Sequence, residues 1–187
     1  MSIKIYLDQG HNPRDFNTGA EGNGYYEQDI TYDIGQRLYR RLAANPNFEV
    51  RLSRPTPSTV LGSSNSTSLT TRVREANAWG ADLFLSLHTN AAANENATGS
   101  EALVYSLDLP VPTGVAEDIL RELNLTTGLR NRGVIARPGL YVLRRTNMPA
   151  VLVEMGFISN AADANLMANS PELFAEGIYR GLVDYYF

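Results

Sequence analysis

The chain has 187 residues, 43% of them hydrophobic and 19% charged, and its 16 lysines and arginines against 20 acidic residues leave a net charge of -4. That length suits one domain with a single core, the mild acidity argues against nucleic acid as a partner, and no apolar stretch approaches the roughly 20 residues that cross a bilayer, so membrane insertion is not expected. Cysteine is absent, which excludes disulfides and thiolate zinc sites and leaves only nitrogen and oxygen ligands for any metal.

In chain order, Met1-Ser2-Ile3-Lys4 leads into a strand over 3 to 8 and not into a signal peptide. A helical pattern at 27 to 44 carries Ile30, Ile34, Leu38 and Leu42 at intervals of four. There follow a strand at 48 to 52, a helix at 68 to 79, a strand at 82 to 88, a strand at 102 to 105 and a helix at about 112 to 123. Strands near Leu140-Tyr141-Val142-Leu143 and at Ala150 to Glu154, then a helix after Pro171, complete the pattern. Alternation of strand and helix implies an α/β domain over 1 to 187: a single twisted, mostly parallel sheet of about six strands with helices on both faces. The Ser/Thr-rich stretch from Thr56 to Ser68 is expected as a surface loop, not an interdomain linker.

Connections from helix to strand are brief, whereas the segments 9 to 26, 53 to 67 and 89 to 100, which leave strands, are long. Long loops thus gather at the C-terminal ends of the strands, where open α/β sheets bind ligands. The only two histidines, His11 and His88, each follow a short apolar run that ends on that edge.

Glu27 precedes Ile30 by three positions and Ile34 by seven, so it falls on the inward face of the first helix. A carboxylate there is either a capping or dipole residue or a group paired with hydrogen-bond donors or metal. Glu154 closes the apolar run Ala150-Val151-Leu152-Val153 and is a second candidate buried carboxylate, either an ion-pair partner of Arg72 or Arg132 or an acid/base group with a raised pKa. Two imidazoles and one carboxylate make an open zinc site. Zinc lowers the pKa of its water to about 7 and polarises a carbonyl, and a free glutamate beside it can move the proton. The candidate ligands at 11, 27 and 88 match no compact signature such as H-E-x-x-H.

At these residues the sequence resembles the zinc-dependent N-acetylmuramoyl-L-alanine amidases of the amidase type 3 family, found in bacterial autolysins, spore and cell-separation enzymes and phage endolysins. Asp8-Gln9-Gly10-His11 resembles the family's opening Asp-x-Gly-His, Gly24-Tyr25-Tyr26-Glu27 its glutamate segment, and Ser86-Leu87-His88-Thr89-Asn90 its Ser-x-His-x-Asn. The longest match runs from Leu140 to Arg144 and from Met148 to Asn160. The resemblance implies one Zn2+ per chain held by His11, Glu27 and His88, Glu154 as the catalytic carboxylate, and cleavage of the amide between the lactyl group of N-acetylmuramic acid and L-alanine.

Further sites follow less directly. Arg132-Gly133-Val134 resembles the family's Arg-Gly-Val segment beside the stem-peptide groove, the other reading being a solvated turn. Asn90 joins it as a substrate-binding candidate, and Arg72 is a candidate support behind the ligands. Tyr25, Tyr26, Tyr105 and Tyr141 either flank a glycopeptide groove or pack, and Tyr185-Tyr186-Phe187 is expected to dock the last helix. Asn12-Pro13 stands where the family commonly has two glycines, which predicts altered substrate contact in the first loop.

The expected partner is peptidoglycan and the expected place of action the bacterial cell wall. Without a signal peptide or a separate wall-binding domain in the sequence, export by a separate route or excision from a larger secreted protein is expected. Two other functions fit the same residues: a wall-binding or regulatory module that has lost catalysis, and a zinc peptidase or deacetylase cutting another bond in the wall.

Overall fold

The computed structural model describes residues 2–187; Met1, the start of the segment read above as leading into a strand, lies outside the described residues. In chain order the elements are β1 (Ile3–Gln9), β2 (Glu21–Gly22), β3 (Tyr25–Tyr26), α1 (Glu27–Ala43), β4 (Phe48–Leu52), α2 (Asn65–Trp79) and β5 (Leu83–Asn90). They continue with β6 (Ser100–Val104), α3 (Pro110–Thr127), β7 (Asn131–Ala136), α4 (Tyr141–Arg145), β8 (Ala150–Phe157), α5 (Ala161–Asn169) and α6 (Pro171–Tyr186).

Alternation along the strands divides the core. Ile5, Leu7, Leu83, Leu85, Leu87, Val151 and Val153 point to one face, where the stripe Ile30, Ile34, Leu38 and Leu42 of α1 meets them together with α3 and α6. Tyr6, Phe84 and Leu152 point to the other, against Val73 and Ala76 of α2 and Val142 and Leu143 of α4. Both faces are therefore covered, and the strands read as near-continuous apolar runs, as parallel sheets must. The sheet order is β4-β1-β5-β8-β6-β7. Neighbours are parallel except β6 and β8, which pair antiparallel.

Two expectations change. Leu140–Leu143 is not a strand: Leu140 is the extended residue before α4, whose single turn buries Val142 and Leu143 and exposes Arg144 and Arg145. Four consecutive apolar residues carry no period, so they fit one helical turn as well as a strand. The sixth strand is instead β7, holding Arg132-Gly133-Val134, an edge strand with no fully buried residue. That segment is thus neither a turn nor a loop. The short hairpin of β2 and β3, and α5, have no counterpart among the expected elements.

Helices α3 and α6 cross closely because α6 offers glycine at the contact. A Cβ at Gly181 would lie 2.5 Å from the Ile119 Cα, a backbone atom that cannot turn aside. Gly181→Ala is therefore expected to destabilise the protein by about 1–3 kcal/mol through overpacking, measured as a fall in the urea midpoint at unchanged slope.

Candidate active site

The C-terminal ends of β1, β5 and β8 and the first turn of α1 meet at one edge of the sheet. Gly10 lets two of them approach: a Cβ there would meet the Leu87 carbonyl oxygen at 2.5 Å and the His88 ring at 2.6 Å. His11 follows with φ of 70°, in the left-handed region that few non-glycine residues adopt. Its carbonyl accepts a 2.6 Å hydrogen bond from Arg72 Nη2. Arg72 also donates from Nη1 to the Asp8 carboxylate and to the Gln9 carbonyl at 2.8 Å. Both Asp8 and Arg72 are 1% exposed. Burial by itself would raise the Asp8 carboxyl, and the Arg72 guanidinium with the Ser86 hydroxyl outweighs it, holding Asp8 below the usual carboxylate range.

Glu27 opens α1 without capping it, since no side chain closes that N-terminus. Its carboxylate turns inward. Oε1 lies 3.1 Å from His11 Nε2 and 3.1 Å from His88 Nδ1 and accepts from the Thr89 N–H at 2.9 Å, while Oε2 accepts from the Ala20 N–H at 2.8 Å. Burial pushes Glu27 up, but the two imidazoles prevail and keep it well below the usual carboxylate range. Burial also lowers the His88 ring, opposed by Glu27.

His11, Glu27 and His88 each present one ligand atom, all within 4.8 Å of one another. His11 Nδ1 faces the backbone oxygen of Asn17 at 3.2 Å, and a carbonyl can only accept. Both ring nitrogens of His11 thus face oxygen acceptors, Nδ1 the two oxygens of Asn17 and Nε2 the Glu27 carboxylate, and a neutral ring has one hydrogen to give. Two imidazoles and a carboxylate gathered this closely are a donor set that can hold a metal ion.

Glu154 sits beside His88 in the β5–β8 register and opposite Glu101 across the β6–β8 pair. Its Oε2 is buried and has no hydrogen-bond partner among the described residues. Neither arginine considered from the sequence neutralises it: Arg72 is paired with Asp8 and Arg132 with Glu101, at 2.9 Å. Burial, with repulsion from Glu27 and Glu101, pushes Glu154 up to about 8. The strand itself runs on to Phe157.

Asn90 and Arg132 converge on Glu101, whose Oε1 accepts from Asn90 Nδ2 at 2.9 Å and whose Oε2 accepts from Arg132 Nε. Arg132 also lies over the Phe157 ring. Gly133 and Val134 follow on the edge strand. Glu101 was not foreseen, although a carboxylate inside the run Ser100-Glu101-Ala102-Leu103-Val104 is the same signal that marked Glu154. Asn12 is fully buried: it exchanges hydrogen bonds with the backbone of Leu61 and accepts from Arg72, so its side chain faces the protein, not the groove. Of the tyrosines, Tyr26 and Tyr105 are exposed, Tyr141 lines a 120 Å³ cavity beside His11 and His88, and Tyr25 packs against the core. Tyr185 and Tyr186 also pack there, Tyr186 and Phe187 both reaching Phe48.

This constellation has close relatives. The profile of the family described as N-acetylmuramoyl-L-alanine amidase matches residues 5–184. The chain belongs to the N-acetylmuramoyl-L-alanine amidase family. It is 39% identical over 182 residues to N-acetylmuramoyl-L-alanine amidase CwlM of Bacillus licheniformis, covering 96% of this chain and 65% of that one. To N-acetylmuramoyl-L-alanine amidase LytC of Bacillus subtilis (strain 168) it is 36% identical, covering 97% of this chain and 35% of that one. The crystal structure of N-acetylmuramoyl-L-alanine amidase from Clostridium difficile 630 superposes with a TM-score of 0.87 at 28% identity, covering 98% and 96% of the two chains. The family member described here therefore spans about two thirds of one curated relative and about a third of the other. Among the described residues no helix is long and apolar enough to cross a membrane.

The raised Glu154 has a thermodynamic consequence. A carboxyl whose folded pKa exceeds its unfolded value stabilises fully below the unfolded value and loses that contribution as pH rises through the folded one. Between about pH 4.5 and 8 the metal-free protein should thus lose stability that Glu154→Gln retains. Thermal melts of the two in chelator are expected to diverge across that window, with the variant the more stable at neutral pH.

Proposed function

We infer that this chain is a single catalytic domain that hydrolyses the amide between the lactyl group of N-acetylmuramic acid and L-alanine of the peptidoglycan stem peptide, with Zn2+ held by His11, Glu27 and His88. The observation that carries the reading is the convergence of His11 Nε2, Glu27 Oε1 and His88 Nδ1 next to a buried, unneutralised Glu154. Two imidazole nitrogens and one carboxylate oxygen suit zinc and leave it an open position. When bound, the metal supplies Lewis acidity toward the scissile carbonyl and makes water more acidic.

The remaining work falls to the side chains. Glu154 takes the proton of the attacking water on its carboxylate as the hydroxyl adds to the carbonyl carbon, then returns it to the departing nitrogen as the C–N bond breaks. The products are a lactyl carboxylate and a free L-alanine amine. A carboxyl whose pKa is near neutrality can do both within one turnover. Arg132, held in place by its ion pair with Glu101, is positioned to donate a hydrogen bond to a carboxylate of the stem peptide. Asn90, held by the same Glu101 carboxylate, presents its amide beside it. The family and its named relatives support peptidoglycan as substrate and the bacterial cell wall as the place of action.

Purified protein is expected to contain stoichiometric zinc by elemental analysis and to lose muropeptide hydrolysis on chelation, with recovery on adding zinc back. Mass spectrometry of digested peptidoglycan should show stem peptides beginning with a free L-alanine amine; released acetate or cuts within the peptide would move the reading to a deacetylase or peptidase. Glu154→Ala should keep its zinc and lose about 10²–10⁴ in kcat. Retained turnover in that variant would remove Glu154 from the mechanism.

A further inference from the structure

The loop between β1 and β2 is pinned by asparagines. Asn12 anchors its start on Leu61 and Arg72, and its N–H donates to the Asn17 carbonyl at 2.7 Å. Asn17 is held from α2 twice: its N–H donates to Asn65 Oδ1 at 2.7 Å, and its Nδ2 donates to Ser68 Oγ at 3.1 Å. This leaves two oxygens of Asn17 turned to the same atom. His11 Nδ1 lies 3.2 Å from the backbone oxygen and 3.1 Å from Oδ1.

We propose that Asn17 is the positioning residue of the metal site: by accepting the Nδ1 hydrogen of His11 on two oxygens it fixes the tautomer and plane of the ring and aims Nε2 at Glu27. The proposal rests on the metal reading above and assigns Asn17 no contact with substrate. Residues behind metal ligands govern affinity because a ligand free to rotate or to carry its hydrogen on the wrong nitrogen must be ordered again at each binding event. The anchoring of Asn17 on α2 matters for the same reason, since an acceptor can orient a ring only if it is itself held. His11 lies beyond the end of β1 with φ of 70°, whereas His88 lies within β5 and is paired with Glu154 of β8.

The backbone makes a clean test available. Asn17 has φ of 53°, a conformation glycine adopts without strain, so Asn17→Gly removes Oδ1 and the tie to Ser68 while leaving the backbone oxygen in place. Asn17→Asp keeps an oxygen for His11. Zinc affinity is measured by chelator competition, and the His11 tautomer by ¹⁵N NMR of the metal-free protein. We expect Asn17→Gly to bind zinc about 10- to 100-fold more weakly and to show a mixture of His11 tautomers, with a melting temperature lowered by no more than about a few degrees through the lost tie to Ser68, and Asn17→Asp to recover the affinity. Equal zinc affinity in the parent and Asn17→Gly, or an equal loss in both variants, overturns the role of Asn17 alone. A parent protein that takes up no zinc overturns the metal reading itself, and this proposal with it.

Discussion

The rest of this site depends on one buried charge, the guanidinium of Arg72. It enters from α2 and meets the carboxylate of Asp8 on β1, the carbonyls of Gln9 and His11, the Ser53 hydroxyl and the Asn12 amide oxygen. Buried ion pairs are weak evidence for stability, because the cost of removing two charges from water is comparable to their attraction. What this pair does is geometric. It collects the oxygens of a chain leaving a strand in a strained conformation and holds the first histidine in place. An apolar substitute of equal volume would fill the space and leave those carbonyls without donors, which is the costly half of the exchange.

The second organising feature is the separation of two carboxylates by their neighbours. Glu27 has four hydrogen-bonding neighbours, two of them imidazoles, and is held ionised. Glu154 has an oxygen without a partner among the described residues, and burial with repulsion from two other carboxylates pushes its pKa up. The same functional group is thereby held in two states by its surroundings, one kept ionised and the other with a pKa near neutrality, a separation that would suit the acid/base role proposed for Glu154. Glu101 contributes to both sides of this arrangement, since its charge repels Glu154 while its oxygens hold Asn90 and Arg132.

Much of the fold was legible because it rests on periodicity. The four-residue spacing of Ile30, Ile34, Leu38 and Leu42 marks α1 and turns Glu27 inward, and the runs at β5 and β8 mark central strands. The exceptions are segments where period carries no information. Leu140–Leu143 is too short to choose between strand and helix, and its burial is decided by packing on α2's side of the sheet. The edge strand β7 alternates weakly and contains Gly133 with φ of 91°, so it looks like a turn. For the site, His11, Glu27, His88 and Glu154 stand out in the sequence as candidates by type and Arg72 as a candidate support, whereas Glu101 and Asn17 do not. Asn17 is an ordinary loop asparagine in sequence, and Asn12 is marked there only as a departure expected to touch substrate. Their significance comes from α2, which reaches them only after the chain has passed through another strand.

The reversed direction of β6 and β7 divides the molecule by the history each half can have. Strands β1, β5 and β8 arrive at the site with their C-terminal ends and carry His11, His88 and Glu154, but β6 and β7 arrive with their N-terminal ends and bring Glu101 and Arg132. The turns that shape this second half, 91 to 99 and 128 to 130, precede their strands and lie outside the loops that bear the candidate ligands. Insertions and exchanges there can change the surroundings of Glu101 and Arg132 while the edge that carries His11, His88 and Glu154 keeps its geometry. A scaffold partitioned in this way can be revised on one side of one sheet without disturbing the other.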